Sequence, residues 1–270
     1  MLKKVAIVIP FYKTDLSKNE LIALQQCKKV LGKHPIIAIK PKHFTLPKVA
    51  QEVVGFNAID FDENYFTSIH GYNKLMLSSV FYERFLDYEY ILIYQLDCFV
   101  FKDELLNWCK QGWDYIGAPW IKKTYHKNAF ELLFSKFKRA FSNRFNRKDN
   151  DKPNQFQFNN KVGNGGFSLR KVKVFYNLTI LMKPIIDFYL GQDSHLYNED
   201  IFWSIEVNRN RKVINIPDCE TALNFAVEVP PLKLKHLNKE KLPFGCHDWD
   251  HYADYWESVF KTYGYEIENR

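Results

Sequence analysis

The sequence predicts an α/β layer fold with a largely parallel sheet. Two observations carry that expectation. Short apolar runs rich in Val, Ile and Tyr recur along the chain, and stretches of helical spacing alternate with them. The chain also has 270 residues, of which 46% are hydrophobic and 26% charged, enough for a sizeable core in one large soluble domain or one domain with an appendage.

The elements follow in order. Residues 4–12, KVAIVIPFY, read as a buried first strand ended by Pro10 and a polar turn. Ser17 or Asn19 caps a helix over 19–31, and Gly32 stops it. PIIAIK (35–40) and VVGFNAIDF (53–61) read as the second and third strands. Residues 68–86 place Leu75, Met76, Ser79, Val80 and Phe85 at helical spacing, and a strand follows at 90–96. A short helix is expected over 102–111, a strand over 113–120 and a mobile polar linker over 146–155. VGNGGFSLR (162–170) is a turn leading into a strand. Residues 171–183 are helical, Asn198 starts another helix by capping with its side chain, KVINIP (212–217) is a strand, and a last helix ends near Tyr263.

The apolar run at the start is too short for a secretory leader, and no stretch approaches the length needed to span a bilayer. A cytoplasmic protein is expected. Five scattered cysteines without C-x-x-C spacing indicate neither a disulfide framework nor a zinc knuckle. The net charge of +7 is uneven. Of 38 Lys/Arg and 31 Asp/Glu, residues 122–148 hold nine and one, which leaves 29 and 30 elsewhere.

Four constellations carry candidate chemistry. Asp97 sits just past a strand in the run YILIYQLDCFVF, where a carboxylate is expensive to bury unpaired. It either caps the next segment or holds a divalent cation that in turn holds a diphosphate. Gly163, Gly165 and Gly166 give backbone freedom for close approach to a ligand, or form a plain hairpin turn. Glu199 and Asp200 place two carboxylates at a helix start, as a base needs or as ordinary helix acidity. His247, Asp248, Asp250 and His251 surround Trp249, as metal ligands with a sugar-stacking ring or as a polar surface turn.

Taken together, YNKLMLSSVFYERF, YILIYQLDCFVF, DYIGAPW, VGNGGFSLR, NEDIFWS and PFGCHDW resemble a bacterial family of GT-A-like sugar transferases of surface-polysaccharide and O-antigen assembly, first catalogued as a domain of unknown function. The resemblance runs from about residue 4 to 256, apart from the basic segment. It implies a GT-A-like, Rossmann-like, mixed and mostly parallel sheet flanked by helices, with a basic helical insertion at about 122–152. It implies that Pro10, Phe11, Tyr12, Tyr72, Asn73, Lys74, Gln95, Asp97, Gly165 and Gly166 hold a nucleotide-sugar, first of all a UDP-hexose. Asp200 would be the base of an inverting transfer, with Glu199 beside it. Trp120, Asn164, Asp248 and Trp249 would meet the acceptor, a glycan on a polyprenyl carrier. Asp97 and His247 would hold Mn²⁺ or Mg²⁺. The family's D-x-D pair falls on Gln95-Leu96-Asp97, so a neutral amide replaces the first carboxylate and weakens the metal assignment.

The basic segment has its own pattern. Phe130, Leu133, Phe134, Phe137, Phe141 and Phe145 fall on one face of a helix over 128–148, with Lys136, Lys138, Arg139, Arg144 and Arg147 on or beside the other. The helix either lies on an anionic membrane surface at the inner face of the cell membrane or packs its Phe face on the domain. A nucleic-acid partner is not expected, since the rest of the chain is near neutral. Two alternative functions stay open, a catalytically inactive GT-A-like scaffold, which the Gln95 departure allows, and a nucleic-acid-binding protein that uses the basic 122–148 segment.

Overall fold

The computed structural model describes residues 2–121, 128–230 and 242–268. Its strands are β1 (Lys3–Pro10), β2 (Ile36–Pro41), β3 (Asn57–Phe61), β4 (Tyr88–Tyr94), β5 (Phe99–Val100), β6 (Tyr115–Gly117), β7 (Lys148–Asp149), β8 (Lys152–Pro153), β9 (Phe167–Lys171), β10 (Ala226–Val227) and β11 (Gly245–Cys246). Its helices are α1 (Lys18–Leu31), α2 (Lys48–Val54), α3 (Ile69–Met76), α4 (Ser79–Glu83), α5 (Leu105–Lys110), α6 (Ala129–Arg144), α7 (Val172–Leu181), α8 (Lys183–Leu190), α9 (Glu199–Ser204), α10 (Cys219–Phe225) and α11 (Ala253–Lys261). The expected mixed, mostly parallel α/β sheet is present. Its order is β3-β2-β1-β4-β9-β6, with β3, β2, β1 and β4 parallel and β9 antiparallel to both neighbours. A small sheet, β10-β11-β5, lies beside it.

The central strands bury both faces, as their unbroken apolar runs require. Ile7, Ile9, Leu92 and Tyr94 point into a cluster with α1, α5 and α10. Ala6, Val8, Ile91 and Ile93 point the other way, against α3, α4, α7 and α9. A third cluster joins Phe99, Phe101, Trp249, Trp256 and Phe260 around the small sheet and α11. Each large side chain taken fully from water contributes about 1.5–3 kcal/mol.

Local chemistry sets several boundaries. Ser17 and Glu20 close a capping box on α1. Gly55, left-handed at φ 68°, ends α2, so Val53 and Val54 belong to a helix and not to the strand expected over 53–61. The helix expected over 68–86 is two helices, because Ser78 is extended and its hydroxyl accepts from Phe81 N at 3.3 Å to start α4. The strand expected over 212–217 does not form. The Asn208 side chain instead takes the Val213 and Ile214 amides at 2.7 and 3.0 Å, and Asn215 pairs with Asp114. The linker expected to be mobile carries the β7–β8 hairpin. In the basic segment, residues 122–127 lie outside the described residues, while α6 falls where the Phe spacing places a helix. No described helix is long and apolar enough to cross a membrane.

Candidate active site

Parallel strands deliver their carboxyl ends to one sheet edge, which is where ligands collect in open α/β sheets. Here β1 ends at Pro10 and β4 at Tyr94. β9 runs the opposite way, so its start meets them: Tyr94 pairs with Phe167 and Gln95 N donates to Gly166 O at 2.9 Å. The glycine-rich loop therefore lies beside Gln95 and Asp97. Two more segments close on this edge. Residues 198–200 start α9, and His247 follows β11, its amide held by Val227 O at 3.0 Å.

Between them is a cleft of about 840 Å³. Of the residues expected in the site, Pro10, Phe11, Tyr12, Tyr72, Asn73, Gln95, Asp97, Asn164, Gly165, Gly166, Glu199, Asp200 and His247 line it. Four lie elsewhere. Lys74 is exposed on α3, off the cleft wall. Trp120 packs against Phe158 with ring centroids 6.1 Å apart. Asp248, left-handed at φ 54°, turns to His251. Trp249 cannot offer its ring to a sugar: it is fully buried in the third core cluster, 4.8 Å from Phe260.

Two sets of acidic groups share the cleft. In the first, His247 Nε2 lies 3.3 Å from both Asp97 Oδ1 and Gln95 Oε1. On the far side of the ring, Nδ1 is 2.8 Å from Asn164 Nδ2 and 3.7 Å from Glu228 Oε1. The Asn164 orientation is fixed, since its Oδ1 accepts the Gly166 and Phe167 amides at 3.0 and 3.2 Å. Its NH₂ must then donate to Nδ1, which puts the ring proton on Nε2, facing Asp97 and Gln95. Burial works against a charged ring here, but Asp97 and then Glu228 outweigh it and push the His247 pKa up to about 10. The Asn164 amide opposes that second proton, because it needs the Nδ1 lone pair. Most of the Asn164 amide is thus spent inside the protein and not on an acceptor.

The second set is built on a buried ion pair. Arg170, wholly buried on β9, donates to Glu199 Oε1 at 2.9 Å, Gly165 O at 3.3 Å, Ser168 Oγ at 3.0 Å and Tyr82 Oη at 2.9 Å. Asn73 Oδ1 takes the Glu199 amide at 3.1 Å and its NH₂ donates to Asn198 Oδ1 at 2.9 Å. The Asn198 side chain therefore braces α3 and does not cap α9. Asp200 Oδ1 accepts its neighbour's amide, Ile201 N, at 2.9 Å. The Asp200 residue keeps some surface open to the cleft, but its carboxyl group lies deep among protein atoms. That burial, then Glu199 and Glu228, raise its pKa to about 7. Glu199 Oε2 and the Tyr72 hydroxyl are buried without a hydrogen-bond partner among the described residues, although both residues line the cleft.

Gly165 and Gly166 stand between the two sets. A Cβ on Gly165 would strike Glu199 Oε1, and one on Gly166 would strike His247 Nε2 and Gln95 Oε1. Close approach therefore requires glycine at both positions. Asn164 before them is left-handed at φ 67°, a conformation asparagine tolerates.

Residues 55–247 match the family model described as "Protein of unknown function (DUF5672)". The chain belongs to this family. No curated protein gives a significant sequence match. Among solved structures, the chain resembles the galactosyltransferase LgtC in complex with donor and acceptor sugar analogs, at 11% identity and TM-score 0.52. It also resembles an active-site mutant of LgtC, at 13% identity and TM-score 0.51. Each likeness covers 90% of this chain and 86% of the other. This DUF5672 chain thus has the GT-A fold of those glycosyltransferases.

Sequence reasoning missed two parts of the site. Arg170 ends the very motif, VGNGGFSLR, that marks the loop, but a lone Arg in a strand gives no sign of burial. Glu228 follows β10 and has no local signal, since only the fold brings it to His247.

Asp97, Cys98 and His247 offer ligand atoms close enough together to share one metal ion, with Gln95 Oε1 beside them. An ion on His247 would need the Nε2 lone pair, and the ring proton would move to Nδ1. There the Asn164 NH₂ now donates and Glu228 Oε1 stands 3.7 Å away, so a metal-bound ring would require the Asn164 amide to yield Nδ1 to that carboxylate. The oxygen-rich side of this set suits Mg²⁺ or Mn²⁺.

Proposed function

We propose that this protein is a glycosyltransferase that moves a sugar from a nucleotide donor, first of all UDP-hexose, to a glycan acceptor. One observation carries the reading. A single cleft at the carboxyl edge of the sheet presents two acidic sets on either side of a close-approach glycine pair, one suited to a diphosphate site and the other to a proton acceptor.

In this reading Asp97, Gln95 and His247 hold the diphosphate end, and a divalent cation there would offset the charge of the leaving nucleotide. Pro10, Phe11 and Tyr12 lie against the base. Glu199, held by Arg170, accepts a sugar hydroxyl on Oε2, and the Tyr72 hydroxyl meets another; a polyhydroxylated ligand supplies what these buried atoms lack. Asp200 takes the acceptor hydroxyl's proton. As that proton leaves, the oxygen bonds to the anomeric carbon and the bond from that carbon to the diphosphate oxygen breaks. The nucleoside diphosphate departs with the electron pair. Asp200 as the base, with no second carboxylate clearly positioned as a covalent nucleophile among the described residues, fits inversion. The acceptor is a lipid-linked glycan of surface-polysaccharide assembly, and the enzyme works at the cytoplasmic face of the membrane.

Calorimetric titration with UDP and a panel of UDP-sugars, with and without Mn²⁺, tests this. Saturable binding to one site is expected, tighter with the cation. Absence of binding to any nucleotide or nucleotide-sugar would overturn the reading.

A further inference from the structure

The α6 helix is mounted inside out. Its polar side faces the protein: Ser142 is buried, Arg139 donates to Asn159 O at 3.1 Å, Arg144 to Asn210 Oδ1 at 2.8 Å, and Arg209 donates to Asn143 O. Lys138 lies 4.1 Å over the Phe156 ring. Its apolar side faces outward. Phe130, Leu133, Phe134, Phe137, Phe141 and Phe145 are exposed, from 41% at Phe141 to 77% at Phe130. The alternative in which this face packs on the domain is therefore excluded. A surface helix normally does the reverse, because exposed Phe gains nothing from water.

We propose that this face docks on an anionic lipid bilayer. Three features favour that occupant. The six side chains form one continuous stripe at steps of three and four, and adjacent rings already touch: Phe141 and Phe145 centroids are 4.6 Å apart. Exposed Lys136, Arg147 and Lys148 flank the stripe, and the Arg147 guanidinium sits 5.9 Å over Phe141, so cations accompany the apolar surface. This is the composition of a helix that lies in a headgroup layer. The chain's excess positive charge also falls in this segment. A second copy docking through the same face would set Lys136, Arg147 and Lys148 against their own copies, whereas anionic headgroups neutralise them. The helix rests on residues 155–161, which lead directly to Gly163 and the glycine-rich loop. A bound bilayer would therefore lie on the outer face of the helix whose inner face holds the segment that feeds the cleft. The inference rests on α6 and the residues that follow it to Lys148, and holds whatever the cleft binds.

The test uses the full chain and vesicles of phosphatidylcholine with or without phosphatidylglycerol. Co-sedimentation is expected with the anionic vesicles, and at least about tenfold weaker with phosphatidylcholine alone. Phe134→Ser with Phe137→Ser should lower binding by about tenfold or more while the circular dichroism spectrum and UDP affinity stay unchanged. Lys136→Glu with Lys148→Glu should weaken binding selectively for anionic vesicles. Wild-type chain that stays in the supernatant, or equal binding by the Phe double variant, overturns the proposal. So does a dimer in light scattering that this variant abolishes without vesicle binding in either form, since a second copy then covers the face.

Discussion

Asp200 shows how one environment sets both chemistry and stability. A carboxyl whose pKa sits at about 7 is a better proton acceptor near neutral pH than one at 3.8, provided it is ionised when the acceptor arrives. Transfer should therefore fall as pH drops below about 7, read from the pH profile of initial rates. Asp200→Asn should lower the rate by about 10²–10⁴ with UDP affinity unchanged in calorimetry. Loss of UDP binding instead would move Asp200 out of the base role. Stability runs the other way. The folded group binds its proton more tightly than the unfolded one, so stability is lost as pH rises from about 4 to 7. The Asn variant escapes that cost. It should melt higher than wild type at pH 8, by on the order of 2 kcal/mol after solvent screening in the open cleft, and equally at pH 4. A variant no more stable at pH 8 than at pH 4, relative to wild type, would contradict the raised pKa.

Elements reach the site by different routes, and only some can be read in advance. The start of α1 was legible because its cap is local, and the four parallel strands because burial on both faces leaves continuous apolar runs. The 212–217 segment has the same apolar composition, but the Asn208 side chain and Asp114 take its backbone groups, and no window of sequence contains both. Gln95, Asp97, Asp200 and His247 were legible as polar interruptions of apolar runs or as resemblance to a family motif. Trp249 misled because an aromatic flanked by Asp and His reads as exposed, while α11 brings Phe260 across it. The β9 strand with its preceding loop is the element that joins both halves of the site, and it makes a specific prediction. Gly166→Ala drives a methyl against His247 and Gln95 and should weaken UDP binding at least tenfold, with a melting loss of about 1 kcal/mol. Gly165→Ala presses on Glu199 at the other set, so it should reduce transfer more than UDP affinity. The opposite pattern in calorimetry and rate assays would reverse the assignment of the two sets.

At the scale of the molecule, the cleft is a meeting point of distant segments. Its lining runs from Pro10 through Asn73, Asp97, Gly166 and Asp200 to His247, so α3, α9, β4, β9 and β11 must all be in place before it exists. Anything that binds it stabilises the whole assembly by linkage. At a free ligand concentration about a hundred times Kd the gain is about 2.7 kcal/mol, or roughly 5–10 °C in Tm for a chain of this length. The α6 helix stands apart from this coupling. It touches the body through Arg139, Arg144, Asn143 and Lys138, on the far side of the segment that feeds the loop. Amide hydrogen exchange should therefore separate two ligands. UDP with Mn²⁺ should slow exchange at Gly165, Gly166, Glu199 and His247 and leave α6 unchanged. Anionic vesicles should slow exchange in α6 and leave the α9 start unchanged. Protection of α6 by UDP alone would mean that helix and cleft are one cooperative unit, and that the lipid surface and the transfer site regulate each other.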